Sequence, residues 1–357
     1  MHTVKILGAG PAGLSAAINL AKNDYNVDIF EKNSDVGATV KKNLQGLENW
    51  SEKTDTIDEF KKMNIIPDFD FEPFYNLKIT NNNEIWDFEC ERPAFYIVSR
   101  GQHDNSLDQA LKKQAIDNGV NIMFDKTATG NEMDIIATGP DPEYKFAIGR
   151  GLTFKTEQDN IAVGLVNNYH AFKGYSYLLI SNGCGCIATV LFEGFNDLNK
   201  YFRRTLNMFT GKFDLKMEDP SKITGNGSFS SQILKNKDKI YVGETAGLQD
   251  FLWGFGIKNA IKSGFIAANN IIEGKDCQDY YRSVENYFKP KLNAGIVNRF
   301  FWEKLGSNNY SYILNRISNA EDPVKYLRSV YNFNFLQKLD YPLASLYIKY
   351  RYPYLKI

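Results

Sequence analysis

The residues from Lys5 to Lys32, KILGAGPAGLSAAINLAKNDYNVDIFEK, constrain the fold more than any other part of the chain. A short β-type run, TVKIL, leads into three glycines, and the segment PAGLSAAINLAKN that follows has the Ala- and Leu-rich composition of a helix. A second β-type run, NVDIFEK, then ends at Glu31. This pattern predicts a β-α-β unit with a tight glycine turn between its first strand and its helix.

The three glycines have separate roles in such a turn. Gly8 permits the turn, Gly10 leaves room for the backbone to approach a pyrophosphate, and Gly13 lets the helix pack closely on the strand. The helix N-terminus supplies N–H groups and the positive end of a dipole. A carboxylate at Glu31 would accept hydrogen bonds from ribose hydroxyls and repel a 2′-phosphate. These features together predict a dinucleotide site, and they are typical of both NAD and FAD.

A second strand, glycine turn and helix follow late in the chain, in DKIYVGETAGLQDFLWGFGIKNAIKSGFIAANNIIEG. The strand ends at Gly243 and Glu244, and the start of the helix carries Gly254 and Gly256. A carboxylate at a strand end can bond the hydroxyls of a ribityl chain, and a helix N-terminus stabilises negative charge on a ring. Reduced flavin carries such a charge, whereas NAD has neither a ribityl chain nor a comparable anion. The second pattern therefore favours FAD.

Two further segments complete the set of motifs. In RPAFYIVSRGQHDNSLDQALKKQAIDNG a predicted strand ends at Arg100 and a predicted helix follows, and MDIIATGPDP predicts a short strand that ends at Thr138 and Gly139. With these residues the chain resembles flavoproteins of the para-hydroxybenzoate hydroxylase fold, and it is most similar to the geranylgeranyl reductase family of FAD-dependent oxidoreductases. The segments GAGPAG with Glu31, VSRGQHDNSLDQAL and GETAGLQDFLWGFGI carry the resemblance, which covers about the first three quarters of the chain.

The resemblance implies an FAD site whose residues follow the cofactor from end to end. Thr138 and Gly139 are expected to line this cofactor. Lys41 stands where the family often has an arginine that binds phosphate, although Lys41 and Lys42 are equally typical of solvated loop lysines. The remaining implied contacts are Gly8, Gly10, Pro11, Ala12 and Gly13 with the pyrophosphate, Glu31 and Lys32 with the adenosine, Arg100 with the phosphate and ribityl side, Gly243 and Glu244 with the ribityl chain, and Gly254, Phe255 and Gly256 with the isoalloxazine edge.

The chain departs from the family pattern at three further places. Glu244 replaces the usual aspartate, which moves the carboxylate further from the backbone. The loop VGATVKKNLQGLENW lacks the cysteine that the family usually carries near the flavin, so a mechanism that needs a thiol there is disfavoured. The segment KGYSYLLISNG keeps Gly174 and Tyr175 of the family's Gly-Tyr-x-Trp-x-Phe-Pro segment, but Tyr177 replaces the Trp and the Pro is absent.

Three side chains are candidates for the catalytic proton donor: Tyr175, Tyr177 and His170. Strand alternation places the two tyrosines on one face, where they either form the ceiling of a substrate pocket or fill the core of the sheet. His170 is either a proton donor near the flavin or an ordinary structural histidine. Cys184 and Cys186 lack the further ligands that a metal site needs, so we expect inert buried thiols.

The order of the motifs predicts an α/β fold, in which a Rossmann-type FAD-binding domain is interleaved with an antiparallel β-sheet substrate domain and followed by a helical C-terminal region. TIDEFKKMNI is expected to form a helix, and FEPFYNLKIT and EIWDFECE a hairpin around NNN. The expected boundaries are residues 1–50, 95–140 and 236–275 for the FAD-binding domain, 51–94 and 141–235 for the substrate domain, and 276–357 for the helical cap.

Composition excludes several other classes of protein. Lys plus Arg equals Asp plus Glu at 42 each, so the formal net charge of +0 provides no field that would recruit nucleic acid. With four cysteines and no secretory leader, the chain is expected to be cytoplasmic, and no apolar run has the roughly 20 residues of a membrane-spanning helix. Aromatic and basic residues alternate near the C-terminus, in YIKYRYPYLKI, which either caps the core or makes a peripheral membrane contact.

Three functions remain open at this stage. The first is FAD-dependent reduction of a carbon-carbon double bond in an isoprenoid or another apolar or lipid substrate, with NAD(P)H as a transient electron donor. The second is a flavin-dependent monooxygenase, a hydroxylase of an aromatic or lipid substrate, since one fold hosts both chemistries. A halogenase is disfavoured because the chain has no Trp-x-Trp motif. The third is a flavin-binding protein without catalytic activity.

Overall fold

The computed structural model describes residues 3–40, 42–141, 145–230, 232–306, 310–353 and 355. The strands within these ranges are β1 (Val4–Leu7), β2 (Val27–Phe30), β3 (Asn43–Glu48), β4 (Phe71–Phe74), β5 (Asn76–Thr80), β6 (Ile85–Glu89), β7 (Phe95–Arg100), β8 (Asn121–Met123), β9 (Ile135–Ile136), β10 (Ala147–Lys155), β11 (Ile161–Leu165), β12 (Tyr175–Ser181), β13 (Cys184–Leu191), β14 (Glu218–Gly227) and β15 (Ile240–Tyr241).

The helices in the same ranges connect these strands or follow them. They are α1 (Pro11–Ala21), α2 (Thr56–Lys62), α3 (Leu107–Asp117), α4 (Leu198–Lys212), α5 (Ile257–Ile272), α6 (Cys277–Leu305), α7 (Ser311–Ser318), α8 (Pro323–Tyr331) and α9 (Phe335–Arg351).

A parallel sheet forms the first layer, with the strand order β15-β9-β1-β2-β8. Val4 and Ile6 of β1 are buried, and α1 packs against both α3 and α5. Apolar residues on short parallel strands are typical of a sheet covered by helices. Because the strands share one direction, the turns after β1, β2, β9 and β15 lie at the same edge of the sheet.

A larger sheet forms a second layer, with the order β14-β10-β13-β12-β11-β5-β6. Its neighbouring strands are antiparallel except β11 and β5, which are parallel. Alternation along β12 gives the sheet two apolar faces. Leu178 and Ile180 pack with Phe202 and Phe209 of α4, whereas Leu179 lies in a separate core cluster on the opposite face.

The predicted hairpin is correct for β5 and β6 but wrong for the residues before them. Phe71–Phe74 pairs instead with β7, in a three-stranded antiparallel sheet of order β3-β7-β4. Aromatic packing accounts for this placement, because Phe74 stacks on Phe95 of β7 with ring centroids 5.4 Å apart and Phe71 contacts Tyr96 edge-on at 5.6 Å. The predicted helix at TIDEFKKMNI is present as α2.

The C-terminal helices pack on one another and on the sheets. Helix α9 lies against α6 and buries Gln337, Ala344 and Ile348. A capping box at Asn334 and Gln337 fixes its start. No helix in the described ranges is both long enough and apolar enough to cross a bilayer. The predicted α/β fold, with a Rossmann-type sheet, antiparallel sheets and a helical C-terminal region, is confirmed.

Candidate functional site

The glycine turn between β1 and α1 contains two close-packed glycines and one open glycine. Gly8 has φ +103, and a Cβ built there would lie 2.4 Å from the Ala137 carbonyl oxygen. A Cβ on Gly13 would lie 2.1 Å from the carbonyl oxygen of Gly8. At Gly10 no described atom lies within 4 Å of the added Cβ. Gly8 and Gly13 therefore serve the fold, and Gly10 leaves the helix start open to a ligand.

The late glycine turn lies directly beside this helix start. A Cβ on Gly243 would lie 3.0 Å from Cβ of Ala12 and 3.7 Å from Cβ of Ala260, in the first turn of α5. One turn further along α5, a Cβ on Gly264 would lie 2.2 Å from the carbonyl oxygen of Ala12. The small residues let α1 and α5 cross closely, so two turns more than 200 residues apart in sequence meet at one place.

The turn after β9 joins the same edge. Thr138 Oγ1 and Thr245 Oγ1 are 3.3 Å apart, and Thr245 donates to the Gly139 carbonyl oxygen at 3.0 Å. Pro11 is the first residue of α1, where its fixed φ suits a helix start. The structure thus brings together the predicted residues Gly8, Gly10, Pro11, Ala12, Gly13, Thr138, Gly139, Gly243 and Glu244.

Glu244 has a partner that sequence reasoning did not find. Its Oε1 accepts a hydrogen bond from the Ser228 backbone N–H at 2.8 Å, at the end of β14. Burial raises the pKa of Glu244 to about 7, and the bond from Ser228 offsets part of that rise. The carboxyl group is therefore part protonated near neutral pH, which leaves it able to donate as well as accept.

Glu31, which was predicted to bind ribose hydroxyls, is hydrogen-bonded within the chain to the glycine turn and to Asn33. Its Oε2 accepts from the Ala9 N–H at 2.9 Å, and its Oε1 accepts from the backbone and side chain of Asn33 at 2.9 and 2.6 Å. The side chain is 8% exposed, while the neighbouring Lys32 is exposed. Asn33 was missed because an Asn two residues past a strand carries no motif of its own.

Arg100 is held in a buried pair at the end of β7. Its Nε and Nη2 donate to the two carboxylate oxygens of Asp108 at 2.8 and 2.9 Å, and its Nη1 donates to Gln45 Oε1 at 2.9 Å. Burial alone would raise the pKa of Asp108, but the guanidinium and the Gly101 N–H outweigh it and hold that pKa below its usual range. Asp108 was missed as a site residue, although it lies in the family-like segment. Lys41 lies outside the described residues.

Gly254, Phe255 and Gly256 form the turn before α5. The ring of Phe255 lies against β3, where a Cβ on Gly46 would be 2.8 Å from it, and meets Trp50 edge-on with centroids 5.0 Å apart. Gln249 braces the turn by donating to the Gly254 carbonyl oxygen at 2.6 Å.

Asp250 holds the same loop in place through hydrogen bonds to its backbone. Its carboxylate accepts from the N–H groups of Leu252 and Trp253 at 3.3 and 2.8 Å. Burial nevertheless raises the pKa of Asp250 to about 6, because the bonds from the loop offset the desolvation only in part.

Tyr175 and Tyr177 face this loop from β12. Their rings stack at 6.2 Å, and the Tyr175 hydroxyl donates to the Trp253 carbonyl oxygen. Burial raises the pKa of both phenols, so both hold their protons at any physiological pH. Behind Tyr177, the Cys186 thiol donates to Asn43 Oδ1 at 3.2 Å, and burial raises its pKa to about 12. Cys184 and Cys186 are free thiols, and Cys186 is buried.

The structure does not bring His170 together with the two tyrosines. Its carbonyl oxygen accepts from Thr205 Oγ1 of α4 at 3.3 Å, and α4 covers the opposite face of the sheet. Burial and the nearby Arg204 lower the pKa of His170 to about 4, which keeps the ring neutral. Such a buried, neutral ring is typical of an ordinary structural histidine, the second of the two roles considered for His170.

A buried charge network adjoins the start of α5 and was not predicted. Lys258, 4% exposed, lies 3.3 Å from Glu48 Oε1 and 3.7 Å from Glu59 Oε2. Burial alone would raise the pKa of Glu48, but Lys258 and Ser51 outweigh it and lower that pKa. The network ties the first turn of α5 to the end of β3 and to α2.

These residues fit a bound dinucleotide. Within the described part of the chain, neither α1 nor α5 has a side-chain cap or an acidic residue in its first turn, so their N–H groups and dipoles remain available to negative charge. Gly10 leaves the approach to α1 open. Near the loop before α5, the indole N–H groups of Trp253 and Trp302 are buried without a hydrogen-bond partner among the described residues.

Comparison with known proteins identifies the fold class. Residues 6–49 match the family model of the NAD(P)-binding Rossmann-like domain. No curated protein matches the sequence. The structure shares its fold with solved structures that include a reductase-like protein, a flavin-dependent brominase and an oxygenase, which confirms the predicted resemblance at the level of the fold.

Three solved structures illustrate the likeness. A geranylgeranyl bacteriochlorophyll reductase-like protein from Thermoplasma acidophilum superposes with a TM-score of 0.73 at 17% identity, over 96% of this chain and 100% of that one. The flavin-dependent brominase Bmp2 gives 0.62 at 15% identity, over 98% and 99%. A mutant of 2-methyl-3-hydroxypyridine-5-carboxylic acid oxygenase gives 0.60 at 15% identity, over 93% and 99%. At such identities the likeness establishes a shared fold and leaves the substrate open.

Proposed function

We propose that the chain is an FAD-dependent oxidoreductase that reduces a carbon-carbon double bond in an isoprenoid or another apolar substrate. Three glycine turns at one sheet edge support the cofactor assignment, with Glu31 beside them. The reductase-like protein from Thermoplasma acidophilum, similar over its full length, supports the reaction class. We also propose that NAD(P)H supplies the electrons by transient binding.

The observation that carries the proposal is an aromatic cluster between the second sheet and the turn before α5. Trp50 meets Trp253, Phe255 and Tyr331 edge-on, with centroids 5.8, 5.0 and 5.8 Å apart. Tyr175 extends the cluster from the sheet. Flat apolar side chains in this position would favour an apolar substrate over a charged one.

Reduced FAD supplies hydride chemistry when bound. In this proposal the uncapped start of α5 would face the ring edge, where its N–H groups and the positive end of the helix dipole would stabilise negative charge. We propose Tyr175 as the donor of the proton that completes the reduction: its hydroxyl is 3.7 Å from the Cβ position of Gly254, in the turn before α5, and burial keeps it protonated. To act, the hydroxyl would exchange its hydrogen bond to the Trp253 carbonyl oxygen for one to the substrate. Tyr177, stacked behind it, is the second candidate donor.

A monooxygenase that hydroxylates an aromatic or lipid substrate is the second candidate. The similar folds of the flavin-dependent brominase and of the pyridine-carboxylic acid oxygenase favour it. The aromatic cluster suits a phenol as well as an alkene. The two reactions differ in oxygen use: alkene reduction proceeds without oxygen, while hydroxylation consumes it together with NAD(P)H.

The test is to photoreduce the purified flavoprotein without oxygen and add apolar alkenes or phenols. The proposal predicts that an isoprenoid alkene reoxidises the flavin anaerobically and that Tyr175→Phe slows this step at least about tenfold while flavin content stays the same. His170→Asn, which changes a buried residue on the α4 side of the sheet, is the matched control and leaves the rate unchanged. Reoxidation that needs oxygen and a phenol would establish the monooxygenase instead, and tight flavin without turnover on any of these compounds would indicate a non-catalytic protein.

A further inference from the structure

The outward face of α9 is a continuous apolar stripe. Six large apolar side chains on this helix are mostly exposed, although the opposite face, with Ala344 and Ile348, is fully buried against the core. The exposed fractions are 73% for Phe335, 67% for Leu336, 63% for Leu339, 61% for Leu343, 66% for Leu346 and 86% for Tyr350. A helix that already packs one apolar face against the core normally has polar residues on its opposite face. The exposed apolar stripe on α9 therefore requires a separate explanation.

The stripe has the spacing of a coiled-coil seam. Leu336, Leu339, Leu343, Leu346 and Tyr350 are separated by three, four, three and four residues, as positions a and d of a heptad are. Positions with this spacing form a narrow line along the helix, and a second helix covers such a line by fitting its own side chains between them.

The size of the stripe also suits a protein interface. Six large side chains at these exposures leave several hundred Å² of mainly apolar surface, which is more than a monomer usually exposes in one patch. It approaches the roughly 800 Å² that each partner buries in a standard interface. Other exposed apolar residues in the described ranges lie away from α9, such as Ile85 in β6, Ile116 in α3 and Ile66 between α2 and β4.

The charges beside the stripe favour a protein partner over a membrane. Lys338 and Lys349 are exposed on one side of it, and the half-buried Asp340 lies on the other. An amphipathic helix that lies on a bilayer instead carries many basic residues on its polar face. Here the face opposite the stripe is occupied by packing against α6.

We propose that α9 is the dimerisation helix of this protein and that the stripe from Phe335 to Tyr350 pairs with the same stripe of a second copy about a two-fold axis. In a two-fold symmetric dimer the same surface patch of each protomer contacts its copy, so a single leucine stripe per chain is enough to form the interface. The proposal is independent of the proposed reaction and of FAD.

The test compares molar masses measured by light scattering coupled to size-exclusion chromatography. The wild-type chain is expected to elute as a dimer of its 40.7 kDa protomer, and Leu343→Lys, at the centre of the stripe, as a monomer with unchanged circular dichroism and flavin content. Ile66→Lys is the matched control, because Ile66 has the same 61% exposure as Leu343 but lies outside α9. It should remain dimeric. Tyr350→Ser, at the most exposed position, should weaken the dimer without touching the core.

Three outcomes would overturn the proposal. One is a wild-type monomer at the highest soluble concentration. Another is a folded Leu343→Lys variant that stays dimeric. The third is sedimentation of the wild-type monomer with vesicles of phosphatidylglycerol and phosphatidylcholine, together with loss of this binding in the Leu343→Lys variant. That result would assign the stripe to a membrane surface.

Discussion

Gly10 and Gly13 lie one helical turn apart, and the structure gives them different tasks. A side chain at Gly13 would collide with the carbonyl oxygen of Gly8, whereas a side chain at Gly10 would project into open space at the start of α1. Gly10 has φ −78 and ψ 177, a backbone conformation that any residue adopts. The fold therefore does not require a glycine at this position, and we propose that the missing side chain serves ligand binding.

The open position of Gly10 predicts that a variant with a side chain there folds but does not bind FAD. Gly10→Val should change the free energy of unfolding of the flavin-free chain by less than about 1 kcal/mol and abolish retention of FAD, because the branched side chain occupies the approach to the pyrophosphate. The measurement is flavin absorbance per chain together with urea denaturation. Gly225→Val, on β14 and equally open, is the control and should remain yellow. A Gly10→Val protein with stoichiometric FAD would contradict this role.

Glu244 predicts a pH dependence of stability in the flavin-free chain. Its folded pKa is about 7 against an ordinary 4.5, so the protonated carboxyl favours the folded state. This contribution is complete below pH 4.5 and is lost as the pH rises through about 7. We expect Glu244→Gln to raise the free energy of unfolding at pH 8 by about 3 kcal/mol, with little difference at pH 4.5, since each pKa unit corresponds to about 1.4 kcal/mol.

Urea denaturation at the two pH values checks this expectation. Glu218→Gln is the control, because Glu218 is exposed on β14 and its loss should have the same small effect at both pH values. A Glu244→Gln variant that is less stable than the wild type at pH 8 would show that the ionised carboxylate is stabilising in the folded chain.

At the scale of elements, the crossing of α1 and α5 holds the two glycine turns together. Gly264→Ala should lower the free energy of unfolding by about 2–3 kcal/mol and weaken FAD binding in parallel, because the methyl group separates α5 from the backbone of Ala12. Gly211→Ala is the matched control in α4, where the added Cβ meets no described atom within 4 Å. It should stabilise the chain by up to about 1 kcal/mol. Equal stability of the two variants would rule out the close crossing as a source of stability.

Elements with a local pattern could be predicted from the sequence. The glycine turn before α1 was predictable because a positive φ at Gly8 and a close approach at Gly13 each demand glycine. The shared face of Tyr175 and Tyr177 follows from strand alternation alone. Helix α2 was predictable because Asp55 caps its N-terminus and apolar residues repeat at helical spacing.

Contacts between distant segments could not be predicted in the same way. Phe71–Phe74 has the composition of a hairpin strand, and its pairing with β7 depends on aromatic partners in another part of the chain. The side of the sheet on which His170 lies depends on α4, which no motif in its own segment indicates. The apolar residues of α9 repeat at helical spacing both on its buried face, with Ala344 and Ile348, and on its exposed face, with the leucines, so the sequence pattern does not distinguish core from interface.

At the scale of the whole molecule, the site is an assembly of separate stretches of chain. The turns after β1, β2, β9 and β15 come from four separate segments and meet at one edge because their strands are parallel neighbours. Helix α5 then places its first turn beside Gly243 and its preceding loop beneath Tyr175. We propose that FAD lies along these turns, with its adenosine end at Glu31 and its ring end at the aromatic cluster.

The most direct test of this account is a titration of the flavin-free chain with FAD, followed by quenching of flavin fluorescence. The account predicts saturation at one FAD per chain with a Kd of about 1 µM or below. A chain that is folded by circular dichroism but does not saturate at excess FAD would contradict the claim that these turns form a single flavin site.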